Sequence, residues 1–194
     1  MGAVYEAYEE SMQRTVALKV LSPALQAAGI EASRFEREAW IGGRLAHPNV
    51  VKVYGQGADG ALRYIALELI RGPSLHEALQ QARERRETHE AGESEWRATY
   101  LRSTVELFVG VADALYYVHE QGVLHRDIKP ANLLLSEERD RLFLTDFGLA
   151  RDTDASRLTR RGDFFGTIRY MSPEQLLAST VDLGVASDIY SLGV

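Results

Sequence analysis

The chain opens with alternating stretches and then changes period. Residues 2–8 alternate like a strand, and residues 15–21 form a β-branched, alternating segment, hence a second strand. Period two places Ala17 and Lys19 on one face and Val16, Leu18 and Val20 on the other. Residues 33–45 then carry Phe35, Ala39, Gly42 and Leu45 at three- and four-residue spacing, which predicts a helix with Ser33 as its N-cap. His47-Pro48-Asn49 ends it. Residues 50–54 and 62–67 read as two further strands across a Gly-rich turn at 55–60. Beyond residue 70 the helical period dominates. A helix is expected from Ser74 to about Ala82, and a long one over 101–117, with Leu101, Val105, Phe108, Ala112 and Leu115 in register. Between them, residues 83–97 are highly charged and read as a solvated helical extension or loop. Two short apolar runs, 133–135 and 142–145, read as a pair of buried strands.

Two polar features stand out against this pattern. Lys19 lies mid-strand in an apolar run, where an unpaired charge is costly. Glu38 lies within the apolar stripe of its helix, and an inward carboxylate needs a cation. The densest chemistry is His125-Arg126-Asp127-Ile128-Lys129-Pro130-Ala131-Asn132, which flows directly into the first short strand. The second strand delivers Asp146-Phe147-Gly148 to the same neighbourhood. An Asn and an Asp oxygen, without a dense carboxylate cage, suit Mg²⁺ that keeps waters and substrate phosphates as its other ligands. Asp127 is then left as a carboxylate near the metal but not needed to bind it, the position of a general base or a nucleophile-orienting group.

Composition narrows the picture. The chain has 194 residues, 45% of them apolar and 26% charged, as in a soluble globular protein. It has no cysteine, so disulfides, thiolate zinc sites and thiol nucleophiles are excluded. A net charge of −6 argues against broad nucleic-acid binding and requires local positive charge to hold any polyanion. No apolar run reaches the ~18 residues of a membrane span, and none resembles a signal peptide. The reading therefore places this part of the protein in the cytoplasm.

The stretch 125–132 together with Asp146-Phe147-Gly148 resembles the catalytic loop and metal-binding triplet of protein kinases. Lys129, two residues after Asp127, resembles the Ser/Thr class, and the chain looks like a bacterial eukaryotic-like Ser/Thr protein kinase. The resemblance implies an α+β bilobal fold. Residues 1–70 would be a small antiparallel β lobe with one helix, and 71–194 part of a larger, mainly helical lobe.

The resemblance also implies a cleft that takes ATP and Mg²⁺. Lys19 would hold the α/β-phosphates and Glu38 would pair with it. Val4, Ala17 and Leu134 would sandwich the adenine, and backbone groups of Glu68 and Ile70 would bond it, with Leu67 limiting pocket depth. Asn132 and Asp146 would hold the metal, while Asp127 and Lys129 carry the transfer to a Ser or Thr hydroxyl. His125 would pack under Phe147, and Asp188 would anchor the catalytic loop through its backbone amides.

Residues 149–167 match an activation segment, closed by residues 166–174, with Ser172 where Ala is usual. Thr159 and Thr153 are the expected autophosphorylation sites, with Arg126 to receive the phosphate. A homodimer would serve such trans-phosphorylation. Protein substrates bearing Ser or Thr are the expected partners. The fold is expected to be incomplete at both ends. Met1 reads as an internal Met before the last Gly of a phosphate loop, and the helices that supply an Arg for Glu174 are expected after Val194. Relatives often append a membrane span and a sensor domain.

Overall fold

The computed structural model describes residues 3–21, 30–88, 95–147, 168–177 and 183–194; side chains at 30–34, 85–88 and 95–101 are left aside. A four-stranded antiparallel sheet forms the first lobe. Its strands are β1 (Ala3–Glu9), β2 (Arg14–Val20), β3 (Val53–Asp59) and β4 (Leu62–Glu68), in spatial order β1-β2-β4-β3. The register pairs Val4 with Lys19, and Lys19 with Ile65. Directly paired residues share a face, so Val4, Lys19 and Ile65 look the same way. Helix α1 (Ile30–Gly42) covers that side of the sheet. Leu21, Phe35, Ala39 and Ile65 form a small core between them.

The larger lobe is built on α2 (Leu75–Thr88) and α3 (Glu95–Glu120). A single 3₁₀ turn, Pro130–Asn132, leads into the hairpin of β5 (Leu133–Leu135) and β6 (Leu142–Leu144). Two helices close the described chain, α4 (Pro173–Leu177) and α5 (Val185–Gly193). The main core joins Val111, Ala114, Leu115 and Val118 of α3 to Ile128 and the hairpin leucines. Ile41, Leu45 and Val50 of the first lobe enter the same cluster.

Main-chain bonds stitch the lobes together. Leu144 N–H donates to the Asn49 carbonyl at 2.7 Å, and Val51 N–H donates to the Leu144 carbonyl at 3.0 Å. Within the larger lobe, Leu135 N–H donates to the Pro73 carbonyl at 2.9 Å and ties the link after β4 to the hairpin. The chain passes close beneath at Gly72, where φ is +152° and a Cβ would stand 2.1 Å from the Leu135 carbonyl oxygen. Only glycine fits that crossing.

Several sequence expectations shift. The helix expected over 33–45 runs Ile30–Gly42, so Ser33 is interior and does not cap it. Its buried stripe holds, with Phe35, Ala39, Gly42 and Leu45 buried, although Leu45 lies just past the helix end. The strand expected at 50–54 begins instead at Val53 and runs through the glycines to Asp59, leaving a tight turn at Gly60 and Ala61. Glycine permits a turn but does not impose one, and pairing with β4 carries Gly55 and Gly57 as strand residues. The charged run at 83–97 is helical on both sides, extending α2 and α3; residues 89–94 lie outside the described set.

In α3 the predicted stripe is half right. Leu115 is buried and Phe108 partly so, but Val105 is 61% exposed and Ala112 is exposed. The helix is apolar on more than one side, and the hairpin covers only the side of Val111, Ala114 and Val118.

Candidate active site

The cleft between the lobes gathers the polar residues that the sequence scatters. Lys19 on β2 extends its Nζ to 2.6 Å from Glu38 Oε1 on α1, and to 2.7 Å from Asp146 Oδ1 just after β6. Lys19 is mostly buried, Glu38 is about one-fifth exposed and Asp146 about one-third. One cation therefore serves two carboxylates from opposite lobes.

The electrostatics follow. Burial opposes the charge on Lys19, yet the carboxylates of Asp146 and Glu38 outweigh it and raise the lysine above its usual value. Burial lifts Glu38, and the neighbouring Asp146 charge adds to that against the pull of Lys19. Burial also acts against ionised Asp146, but the Lys19 charge and hydrogen bond prevail and hold it below the ordinary carboxylate range. Asp146 is thus the fixed anion of the trio.

The loop below is held by its own polar groups. Asp127 Oδ2 lies 2.9 Å from Lys129 Nζ. Asn132 Nδ2 donates to the Asp127 carbonyl at 2.7 Å and to Asp127 Oδ2 at 3.0 Å. These bonds orient the Asn132 amide, so its Oδ1 is turned away from Asp127. Thr145 N–H donates to the Asn132 carbonyl at 3.1 Å, tying Asn132 to the residue before Asp146. Hard oxygens from one amide and one depressed carboxylate fit Mg²⁺ that brings water and phosphate ligands with it. Among the described residues no cluster of three or more His or carboxylate side chains offers an alternative cage.

Asp188 on α5 fixes the start of the loop. Its carboxylate accepts from His125 N–H at 2.8 Å and from Arg126 N–H at 2.6 Å, and it lies 2.9 Å from His119 Nε2. Asp188 is 1% exposed. His125 is fully buried and packs on Phe147 with ring centroids 4.9 Å apart, tilted by 44°. Its Nε2 faces the Thr145 carbonyl at 3.0 Å, and Asp127 N–H donates to its Nδ1 at 3.3 Å. A neutral imidazole protonated on Nε2 satisfies both bonds. Burial comes first in keeping this histidine neutral and outweighs the pull of Asp188.

Arg126 and Asp146 are non-glycine residues with left-handed backbone, at φ +65° and +56°. Such conformations persist only where surroundings impose them.

The remaining expected residues lie on the neighbouring strands and on the link after β4. Val4 is 61% exposed on the edge strand, Ala17 is buried on β2, and Leu134 is half-buried on β5. Glu68 ends β4, and its N–H already donates to the Lys52 carbonyl at 2.8 Å. Ile70 follows in the connection to α2. Thr153 and Thr159 lie outside the described residues. Two polar residues at the loop escaped the sequence reading, His119 and Gln175. For Gln175 a signal existed: Ser172-x-x-Gln175 has the spacing of a helix capping box.

The whole chain, residues 1–194, matches the protein kinase domain family, and the chain belongs to that family. It is 38% identical over its full length to the serine/threonine-protein kinase pkn3 of Myxococcus xanthus, covering 34% of that protein. It is likewise 38% identical to the serine/threonine-protein kinase PknJ of Mycobacterium bovis, covering 30%, and 33% identical to PknA of Mycobacterium tuberculosis, covering 42%. The chain thus spans about a third of the length of these curated relatives. Among the described residues no helix is long and apolar enough to cross a membrane.

Proposed function

We propose that this chain is the phosphoryl-transferring part of a Ser/Thr protein kinase, moving the γ-phosphoryl of ATP to a Ser or Thr hydroxyl of a protein in bacterial signalling. The observation that carries the reading is Lys19 Nζ within 2.7 Å of carboxylates from both lobes, one of them, Asp146, adjoining Thr145, whose N–H is bonded to the loop that presents Asp127, Lys129 and Asn132.

Each residue then has a task. Lys19, braced by Glu38, meets the α/β-phosphates. Adenine lies between Val4 and Ala17 above and Leu134 below. The adenine edge bonds backbone at Glu68 and Ile70; with the Glu68 N–H engaged, its carbonyl is the group to offer. Asn132 and Asp146 hold Mg²⁺, which offsets charge on the β- and γ-phosphates. Asp127 orients the acceptor hydroxyl and takes its proton. Lys129, already beside Asp127, steadies the migrating phosphoryl. Such chemistry depends mainly on position and fixed charge.

The boundary between the lobes falls near residue 70, where β4 gives way to the link crossed at Gly72. Arg126 carries a buried Nε with no hydrogen-bond partner among the described groups. That donor supports a role in receiving a phosphate on Thr159 or Thr153, placed there by a second copy of the chain. A phosphate offers the forked acceptor that a guanidinium matches. Incubation of the intact protein with labelled Mg-ATP and a Ser/Thr substrate tests the transfer. Label on substrate, lost with Asp127→Ala, supports the reading, and no transfer by the wild type refutes it. Mass spectrometry on the same sample locates any autophosphorylation, and phosphate only outside residues 149–167 overturns the assignment to Thr153 and Thr159.

A further inference from the structure

The peptide unit between Arg126 and Asp127 is gripped at both ends. Its N–H donates to His125 Nδ1 at 3.3 Å. Its carbonyl oxygen accepts from Gln175 Nε2 of α4 at 2.9 Å. The preceding peptide N–H, that of Arg126, is held by Asp188 at 2.6 Å. Between these anchors Arg126 adopts φ +65°, a conformation that needs outside support. The orientation of this peptide plane sets where the Asp127 side chain starts and hence where its carboxylate points.

The Gln175 amide is itself fully oriented. Its Oε1 accepts from Ser172 N–H at 2.9 Å, so Nε2 must face the loop. Its own N–H receives the Ser172 hydroxyl oxygen as an acceptor at 3.3 Å, completing a reciprocal cap at the start of α4. Glu174, the neighbouring residue, accepts from the Ser187 hydroxyl of α5 at 2.5 Å. The short helix α4 is therefore fastened to α5 on one side and to the catalytic loop on the other.

We infer that Gln175 is a positioning residue for the transfer: its amide couples the segment after residues 149–167 to the aim of Asp127. The inference rests on the kinase reading above. A shift of α4, from whatever cause upstream, would release the Arg126 carbonyl and let the peptide plane turn. An Asp127 displaced by about 1 Å would cost on the order of 100-fold in rate. ATP, held by other residues, would bind as before.

The test uses the intact protein with three variants. Gln175→Ala removes both amide bonds. Gln175→Glu keeps the volume and the Oε1 bond to Ser172 N–H, but turns an acceptor toward the Arg126 carbonyl. Ser172→Ala weakens the cap of the same helix and leaves the Nε2 bond intact. We expect kcat to fall by about tenfold or more in both Gln175 variants, with KM for ATP unchanged, and to stay within about twofold in Ser172→Ala. In Gln175→Glu, kcat relative to wild type should recover only as pH falls toward about 4.5, the ordinary range of a glutamate, because a protonated carboxyl can donate to the carbonyl. Equal losses in Ser172→Ala and Gln175→Ala, or an unchanged kcat in Gln175→Glu, would overturn the inference. An inactive wild type would instead bring down the kinase reading itself.

Discussion

The two walls of the cleft hold their polar groups by different means. On the sheet side, Lys19 and Glu38 are fixed by each other, side chain to side chain, over a small core of Leu21, Phe35, Ala39 and Ile65. On the helical side, Asp127 and Asn132 sit in a loop whose backbone is pinned by His125, Gln175 and Asp188, over the larger core of α3 and the hairpin. Side-chain pairs on a lightly packed helix can separate at little cost, whereas a backbone clamped by buried side chains cannot. The sheet wall depends on one shared cation; the helical wall is fixed through several main-chain bonds. Substitutions on the first should cost rate alone, and substitutions in the anchors of the second should cost stability as well.

The largest effect is expected where the helical wall touches chemistry without bearing load. Asp127→Ala removes the proposed base but leaves the backbone bonds to its peptide groups in place. Transfer should drop by about 10³-fold, within the range typical of a lost general base. The melting temperature should stay near that of wild type. A large drop in melting temperature would show that the carboxylate bonds to Lys129 and Asn132 carry the loop, and would blur the contrast between the walls.

Next comes the sheet wall. Lys19→Met keeps the stem and removes the cation shared by Glu38 and Asp146. Rate should fall by about 10²-fold or more. Glu38, already pushed upward by burial, can take up a proton and relieve the repulsion that remains. Stability should therefore change little, as thermal melts with and without Mg-ATP would show. The nucleotide-dependent shift should shrink in the variant.

The third test strikes an anchor. Asp188→Ala leaves the amides of His125 and Arg126 without their acceptor inside the protein. Each orphaned buried donor costs about 1–3 kcal/mol, so a loss of roughly 2–5 kcal/mol is expected by chemical denaturation. Rate should fall too, because the loop that aims Asp127 is no longer held. A variant as stable as wild type would remove the ground for calling this wall fixed.

The same contrast explains what the sequence made legible. Motif residues were easy to place because chemistry demands their types at close spacing, as in Asp127 to Asn132. That Lys19 and Glu38 each need a partner was readable from cost, since each charge sits in an apolar stretch; that they pair with each other came from the family resemblance. Asp188 could be assigned to the loop amides only through the family resemblance; nothing local marks a buried aspartate. The clamp from Gln175 was missed because a side chain bonding to a distant carbonyl leaves no periodic trace, although its capping spacing to Ser172 was visible. Element edges were the weakest part. In β3 the glycines suggested a turn and were overruled by pairing with β4. In α3 several apolar faces competed, and only the tertiary partner decided that Val111 and Val118 go in while Val105 stays out.

The smallest effect concerns pH, and it probes the helical wall through His125. Burial first, against the opposing charges of Asp188, Asp127 and Asp146, depresses its pKa in the folded state. Below about pH 6.5 the unfolded chain binds a proton on this imidazole that the folded chain refuses. The unfolded state then holds more protons, so stability falls as pH drops. The slope contributed by one such group is at most about 1.4 kcal/mol per pH unit. Asp146, Glu77 and Glu174 have carboxyls held below their ordinary range, so their contribution is lost only as pH falls below about 4.5. Glu38, raised by burial, titrates above that range with the opposite sign, so the comparison with His125→Phe is what isolates the imidazole. Protonation of Nδ1 would also set a second donor against the Asp127 N–H, loosening the peptide plane that Gln175 grips from its other end. Denaturant unfolding at a series of pH values should show this slope in the wild type and a flatter profile in His125→Phe. An equal slope in both would show that His125 is not its source and would remove this support for the contrast between the walls.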